Sequence, residues 1–152
     1  MTHRARQRGL TLIEAMTALT LVAILASMAV TAWGGWQDRV KTKSAQEDII
    51  AMSMTLDTLI SDNGEPPDSL AAIGRQGLAD PWGNAYVYTN LTTAAGKGMA
   101  RKDHSLVPLN SDYDLFSKGP DGASASALTA KSSRDDILRA NNGRFIGPAS
   151  LY

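Results

Sequence analysis

Few side chains in this sequence are equipped for chemistry, and the most telling of them is Glu14. It is the one charge in an apolar run covering residues 10–33. An acidic side chain near a bilayer centre costs about 2.5–3.5 kcal/mol on insertion scales, and less toward an interface. A residue kept at that cost calls for a partner that relieves it. The other candidates are thinner. His104 lies in a polar stretch and reads as solvated, and His3 stands in a basic leader. Asp121 and the Asp135-Asp136 pair lie in a segment rich in Gly, Ser and Ala. On spacing alone they read as turn formers and solvated charge. Asp112, Asp114 and Gly119 do not fit the spacing of an EF-hand loop. There is no cysteine, which removes disulfides and thiolate metal sites. Asn90-Leu91-Thr92 matches a glycosylation sequon, a weak signal. No glycine loop suited to phosphate and no serine motif with a histidine partner stands out, so the expectation is a protein that is not an enzyme.

The elements that must position Glu14 begin with the apolar run. It is apolar all round, whereas a buried core helix of that length would show a polar face, so it reads as a membrane span. A secretory signal peptide is the alternative reading. It would need a shorter core and a small-x-small cleavage site, and Ala26-Ser27-Met28 and Ala29-Val30-Thr31 lie too deep to serve. Trp33 and Trp36 fall where an interfacial aromatic belt would be. Arg4, Arg6 and Arg8 favour a cytoplasmic N-terminus, while Arg39, Lys41 and Lys43 pull the other way. Beyond the run, Ala45, Ile49, Met52, Leu56 and Leu59 recur at helical spacing with Ile60 beside them. Asp38, Lys41, Gln46, Glu47, Asp57 and Asp62 make the polar face. Residues 10–63 therefore read as one long helix, its second half packed on its own domain. Gly34-Gly35 is a weak point where it can bend or unwind, and Asn63-Gly64 followed by Pro66-Pro67 stops it.

The 152 residues suffice for one modest domain, and Lys plus Arg balances Asp plus Glu at 15 each, which leaves no nucleic-acid footprint. In the globular part, 69–73 reads as a short helix and Asp80-Pro81-Trp82-Gly83 as a type I turn. Residues 85–90 alternate Tyr86 and Tyr88 with Val87, a strand signal, and 113–117 is a second strand. Residues 92–105 read as a hairpin loop whose Lys97, Arg101 and Lys102 are solvated. Residues 119–134 have little to bury and are either mobile or pinned by something. A small domain without disulfides often needs another staple, and a bound metal is one option.

Gly9-Leu10-Thr11-Leu12-Ile13-Glu14 resembles the cleavage and methylation motif of type IV pilins and pseudopilins. Asp62-Asn63-Gly64, the Asp80-Pro81-Trp82-Gly83-Asn84-Ala85-Tyr86 string and the string from Tyr113 through Gly119-Pro120-Asp121-Gly122 resemble the major pseudopilin of type II secretion systems, the G subunit. The resemblance covers residues 4 to about 139, and 143–152 lie beyond it. It implies an α+β, type IV pilin-like fold: a long N-terminal helix packed on a small antiparallel sheet, with a C-terminal metal-binding loop. The implied segments are a leader at 1–9, a membrane and filament-core helix at 10–36, and a periplasmic globular domain at 37–152. A prepilin peptidase would cut between Gly9 and Leu10, and the new amine of Leu10 would be methylated. Glu14 would neutralise that amine on a neighbouring subunit and so serve assembly. One Ca²⁺ would be held by Asp121, Asp135 and Asp136 with the carbonyls of Lys118 and Ala123. The implied partners are further copies in a homopolymer, the peptidase, other pseudopilins and the inner-membrane secretion platform. The protein would sit as a single-pass protein of a bacterial inner membrane and assemble into a periplasmic filament that drives export of folded proteins. A type IV pilus subunit in adhesion, motility or DNA uptake is the alternative. Three features depart from the family: Leu10 where Phe is usual, Thr31 where a proline is usual, and a longer, Ser/Ala-rich C-terminal loop.

Overall fold

The computed structural model describes residues 11–152. It divides into two units, one ending at Asp38 and the other spanning Arg39–Tyr152. The elements are α1 (Leu12–Asn63), β1 (Val87–Asn90), α2 (Ala94–Met99), β2 (Tyr113–Ser117), β3 (Ile137–Ala140) and β4 (Phe145–Pro148). Three short 3-10 turns join them at Leu70–Ile73, Lys131–Ser133 and Ala149–Leu151.

In the first unit α1 exposes its apolar side chains, Leu12, Leu19, Val22, Leu25 and Val30 among them. An exposed surface of that kind needs lipid or other helices around it. Among the described residues α1 is the one helix long and apolar enough to cross a membrane. Gly34 and Gly35 are both helical, so the unwinding that the sequence permits there is not taken. Trp33 and Trp36 are exposed, with ring centroids 5.7 Å apart.

In the second unit the stripe is realised: Ala45, Ile49, Met52 and Leu56 are buried against Leu115, Tyr113 and Ile137. Filling this face is worth about 1.5–3 kcal/mol for each large aliphatic side chain. The polar side of the helix is less solvated than its composition suggests. Asp48 accepts from the Tyr86 hydroxyl and Asp57 from the Tyr113 hydroxyl, each at 2.8 Å. α1 stops at Asn63 because Gly64 turns left-handed (φ +83°) and donates its N–H to Ile60 O at 2.7 Å.

The sheet is antiparallel throughout, in the order β1-β2-β3-β4. All five residues of β2 are buried. Strand alternation explains this: Tyr113 and Leu115 face α1, while Phe116 joins Leu109, Leu128, Leu138 and Ala140 on the other face. That second face is covered by irregular chain. Residues 119–134 are pinned, with Leu128 buried, Lys102 N–H on Ser126 O at 2.7 Å, and Ser133 Oγ bonded to both the N–H and the O of Ala125.

Three features differ from the sequence reading. Residues 92–105 contain α2, capped by Thr93 Oγ1 on Gly96 N–H at 3.0 Å, where a plain loop is expected. Two glycines in six residues hide it, yet a side chain at Gly96 would collide with Asn90 O. The β3–β4 hairpin was not anticipated, although Asn141-Asn142 (φ +53° and +54°) followed by Gly143 is turn chemistry between two apolar runs. Arg101 is buried, not solvated, whereas Lys97, Lys102 and His104 are exposed as expected. Near Arg101, residues 103–107 form a closed tip: Asp103 N–H bonds Val107 O, and Asp103 Oδ1 accepts from Ser105 and Val107 N–H. Leu106 stands at its apex, left-handed (φ +62°) and 63% exposed.

Candidate functional site

Two sites follow from the residues singled out, one at the start of α1 and one in the 117–136 segment. Gly9 and Leu10, the expected cleavage and methylation positions, lie outside the described residues. Glu14 lies within them, three positions into the helix. Its Oε2 accepts from Thr11 N–H at 2.9 Å and Thr11 Oγ1 at 2.7 Å, while Glu14 N–H reaches back to Thr11 Oγ1 at 3.3 Å. This reciprocal pair is a capping box, which satisfies helix-end donors and sets a carboxylate against the positive end of the helix dipole. The signal was present as Thr-x-x-Glu before an apolar run, but the sequence reading did not use it. Glu14 is thus relieved locally, with its charge held close to the point where the chain enters the helix.

In the second site the two signature strings meet. The Asp80-Pro81-Trp82-Gly83 turn closes with Gly83 N–H on Asp80 O at 2.9 Å. Asp80 Oδ1 accepts from Trp82 and Asn84 N–H, and its Oδ2 takes the Ser117 hydroxyl. Ser117 Oγ in turn accepts Gly119 N–H at 3.0 Å, and Asn84 Nδ2 donates to Gly119 O at 3.0 Å. The first turn therefore braces the second. Gly119 (φ +65°) packs so close that a Cβ would lie 2.4 Å from Asp135 O.

The expected calcium donors turn to different partners. Asp121 is exposed, its Oδ1 accepting from Ala123 N–H at 2.8 Å and its own N–H reaching Asp135 Oδ2 at 3.3 Å. Asp136 is fully buried and faces elsewhere: its Oδ2 takes Arg101 Nη2 at 2.6 Å and Ser124 Oγ at 2.6 Å. Burial pushes Asp136 above the ordinary aspartate pKa, against the pull of Ser124 and Arg101. Among the described residues no group of three His, Cys, Asp or Glu side chains gathers as metal ligands. The residues present do not fit one ion held by all three aspartates.

Sequence reasoning missed two arginines. Arg101 is stacked at 4.0 Å over Phe116, its backbone N–H on Asp114 Oδ2 at 2.7 Å. Arg139 makes a forked pair with Asp112 at 2.9 and 2.7 Å and lies 3.9 Å over Tyr113. No periodicity marks either residue. An arginine in a polar stretch reads as solvated until its partners are known.

A long apolar helix with a capped start, carrying a small antiparallel sheet braced by two turns, is the architecture of a pilin-like α+β subunit. The prokaryotic N-terminal methylation motif matches residues 4–30. The chain is 31% identical to the type II secretion system core protein G of Escherichia coli (strain K12), over 77% of this chain and 84% of that protein. It is 29% identical to the protein of the same name in Dickeya chrysanthemi (77% and 80%) and 30% to that of Aeromonas hydrophila (79% and 80%). No solved structure matches it. The chain belongs to the type II secretion system core protein G family.

Proposed function

We propose that this chain is a structural subunit that polymerises through its N-terminal helix into the pseudopilus of a type II secretion system and thereby drives export of folded proteins. The observation that carries the reading is the pairing of a methylation motif with an apolar helix that leaves its surface uncovered in the single chain. In a filament, copies of that helix would cover one another. Prepilin peptidase would cut after Gly9, and Leu10 would then carry a positive amine close to the capping box. Glu14 of one subunit would meet the Leu10 amine of another. A buried ion pair of this kind matters mainly because removing one partner strands the other, at about 3–5 kcal/mol. The apolar part of α1, the one such helix among the described residues, fits a one-pass anchor in the inner membrane, and the second unit would lie in the periplasm. Calcium, which the resemblance implies on Asp121, Asp135 and Asp136 with the carbonyls of Lys118 and Ala123, has no part in the proposed function.

The test is Glu14→Ala in the full chain. The variant is expected to insert in the membrane and to be cut, with mass spectrometry showing methylated Leu10 at its start, yet to form few or no filaments. Filaments at the ordinary level would remove the pairing argument. A wild-type chain still beginning at Met1 in cells that hold the peptidase would remove the whole reading.

A further inference from the structure

The carboxylate that the resemblance assigns to a metal already has a cation. We propose that Arg101 is the built-in structural cation of the 119–136 segment: its guanidinium neutralises Asp136 from within the chain and takes that carboxylate out of divalent-ion coordination, so the fold of this domain does not depend on calcium.

The two side chains are almost fully enclosed, 4% and 0% exposed, with 2.6 Å between Nη2 and Oδ2. Arg101 also donates from Nη1 to Ser124 Oγ at 3.1 Å, and Ser124 Oγ donates to the same Asp136 oxygen. The guanidinium carbon lies 4.0 Å from the centre of the Phe116 ring on β2, while the Arg101 backbone is fixed to Asp114 on the same strand and to Leu109. One side chain thus joins the central strand, the long irregular segment and the start of β3, which is the work a staple does in a chain without cysteine. Arg101 Nε and Asp136 Oδ1 are both buried without a partner. They are a donor and an acceptor on the two members of one pair, and a small rotation toward the forked geometry that arginine favours with carboxylates would serve both. A Ca²⁺ bound by Asp136 would stand against a guanidinium already on that carboxylate, and like charges at such range oppose each other strongly in a low-dielectric setting. Arginine stays protonated at any pH a protein survives. A tethered cation is also independent of the free-ion concentration that a metal staple requires.

The test uses the full chain in detergent micelles. The melting temperature is measured with a chelator and with about 1 mM calcium chloride, the range of weak extracellular calcium modules. The wild type is expected to melt at the same temperature in both. Arg101→Met is expected to melt about 10 °C lower in chelator, and Arg101→Lys to fall between the two. A wild-type melting temperature that rises by several degrees with calcium, or an Arg101→Met chain that melts like the wild type, would overturn the proposal. Calorimetric titration of wild type with calcium chloride keeps the matter decidable if Arg101→Met does not fold. Absence of saturable binding supports the built-in cation, and saturable one-to-one binding with a raised melting temperature overturns it.

Discussion

Asp114 shows how much a buried carboxylate depends on its neighbours. It is 2% exposed, its Oδ2 on the Arg101 amide and its Oδ1 on Asn110 Nδ2 at 2.8 Å. Burial raises its pKa above the ordinary 3.8 despite these bonds. Between 3.8 and that raised value the folded chain holds a proton that the unfolded chain has released. The contribution of Asp114 to stability therefore falls as pH rises through this window and is level above it. Asp114→Asn should lower stability by about 1 kcal/mol through the lost acceptor, and should also flatten the melting-temperature profile just above pH 3.8. Variant and wild-type profiles of identical slope there would count against the assignment. At this scale the sequence was legible in part. Glu14 stood out because a charge in an apolar run is conspicuous, and His104 was rightly read as solvated. Arg101, Arg139 and Asp136 were not readable, because pairing across 35 or 27 positions leaves no local pattern.

At the scale of elements, the features legible beforehand are those that local chemistry dictates. The stop at Asn63-Gly64, the Asp80 turn, the 3-10 turn capped by Ser69 and strand β2 all rest on residues within a few positions of one another. The irregular layer was not legible, because 119–134 holds its shape through Lys102 and Asp136, contributed by other parts of the chain. The close packing of Gly119 on Asp135 gives a prediction with its own control. Gly119 and Gly77 are both left-handed (φ +65° and +71°), but a Cβ at Gly77 meets open space while one at Gly119 meets a backbone oxygen. Gly77→Ala should cost about 1 kcal/mol, from the left-handed backbone alone. Gly119→Ala should cost several times as much, because backbone must move as well. Denaturant midpoints compare the two directly, and equal losses would show that Gly119 is not packed against the Asp135 backbone.

For the molecule as a whole, the division at Asp38 separates two kinds of stability. The second unit buries Ile49, Leu56, Leu115 and Leu138 within itself. A chain beginning at Arg39 should therefore be soluble without detergent and unfold in one cooperative transition, and within it Leu56→Ala should cost about 2–5 kcal/mol. A broad, non-cooperative melt would show that residues before Arg39 are needed for the core. The first unit has no such core of its own among the described residues, so the full chain should aggregate once detergent is diluted out. Its all-round apolar surface was visible in the sequence from the start.

The clasp at 103–107 also makes this chain easy to mark. The tip is exposed and closes on itself through Asp103, so residues added at its apex would dangle from a shut loop and leave the layer beneath untouched. A short epitope or a cysteine for a fluorophore, placed between Ser105 and Leu106, would sit on the globular unit, well along the sequence from the N-terminal methylation motif at residues 4–30. Because the sequence holds no other thiol, such a cysteine would be labelled singly. Incorporation of labelled chains into the proposed filament could then be followed under the microscope.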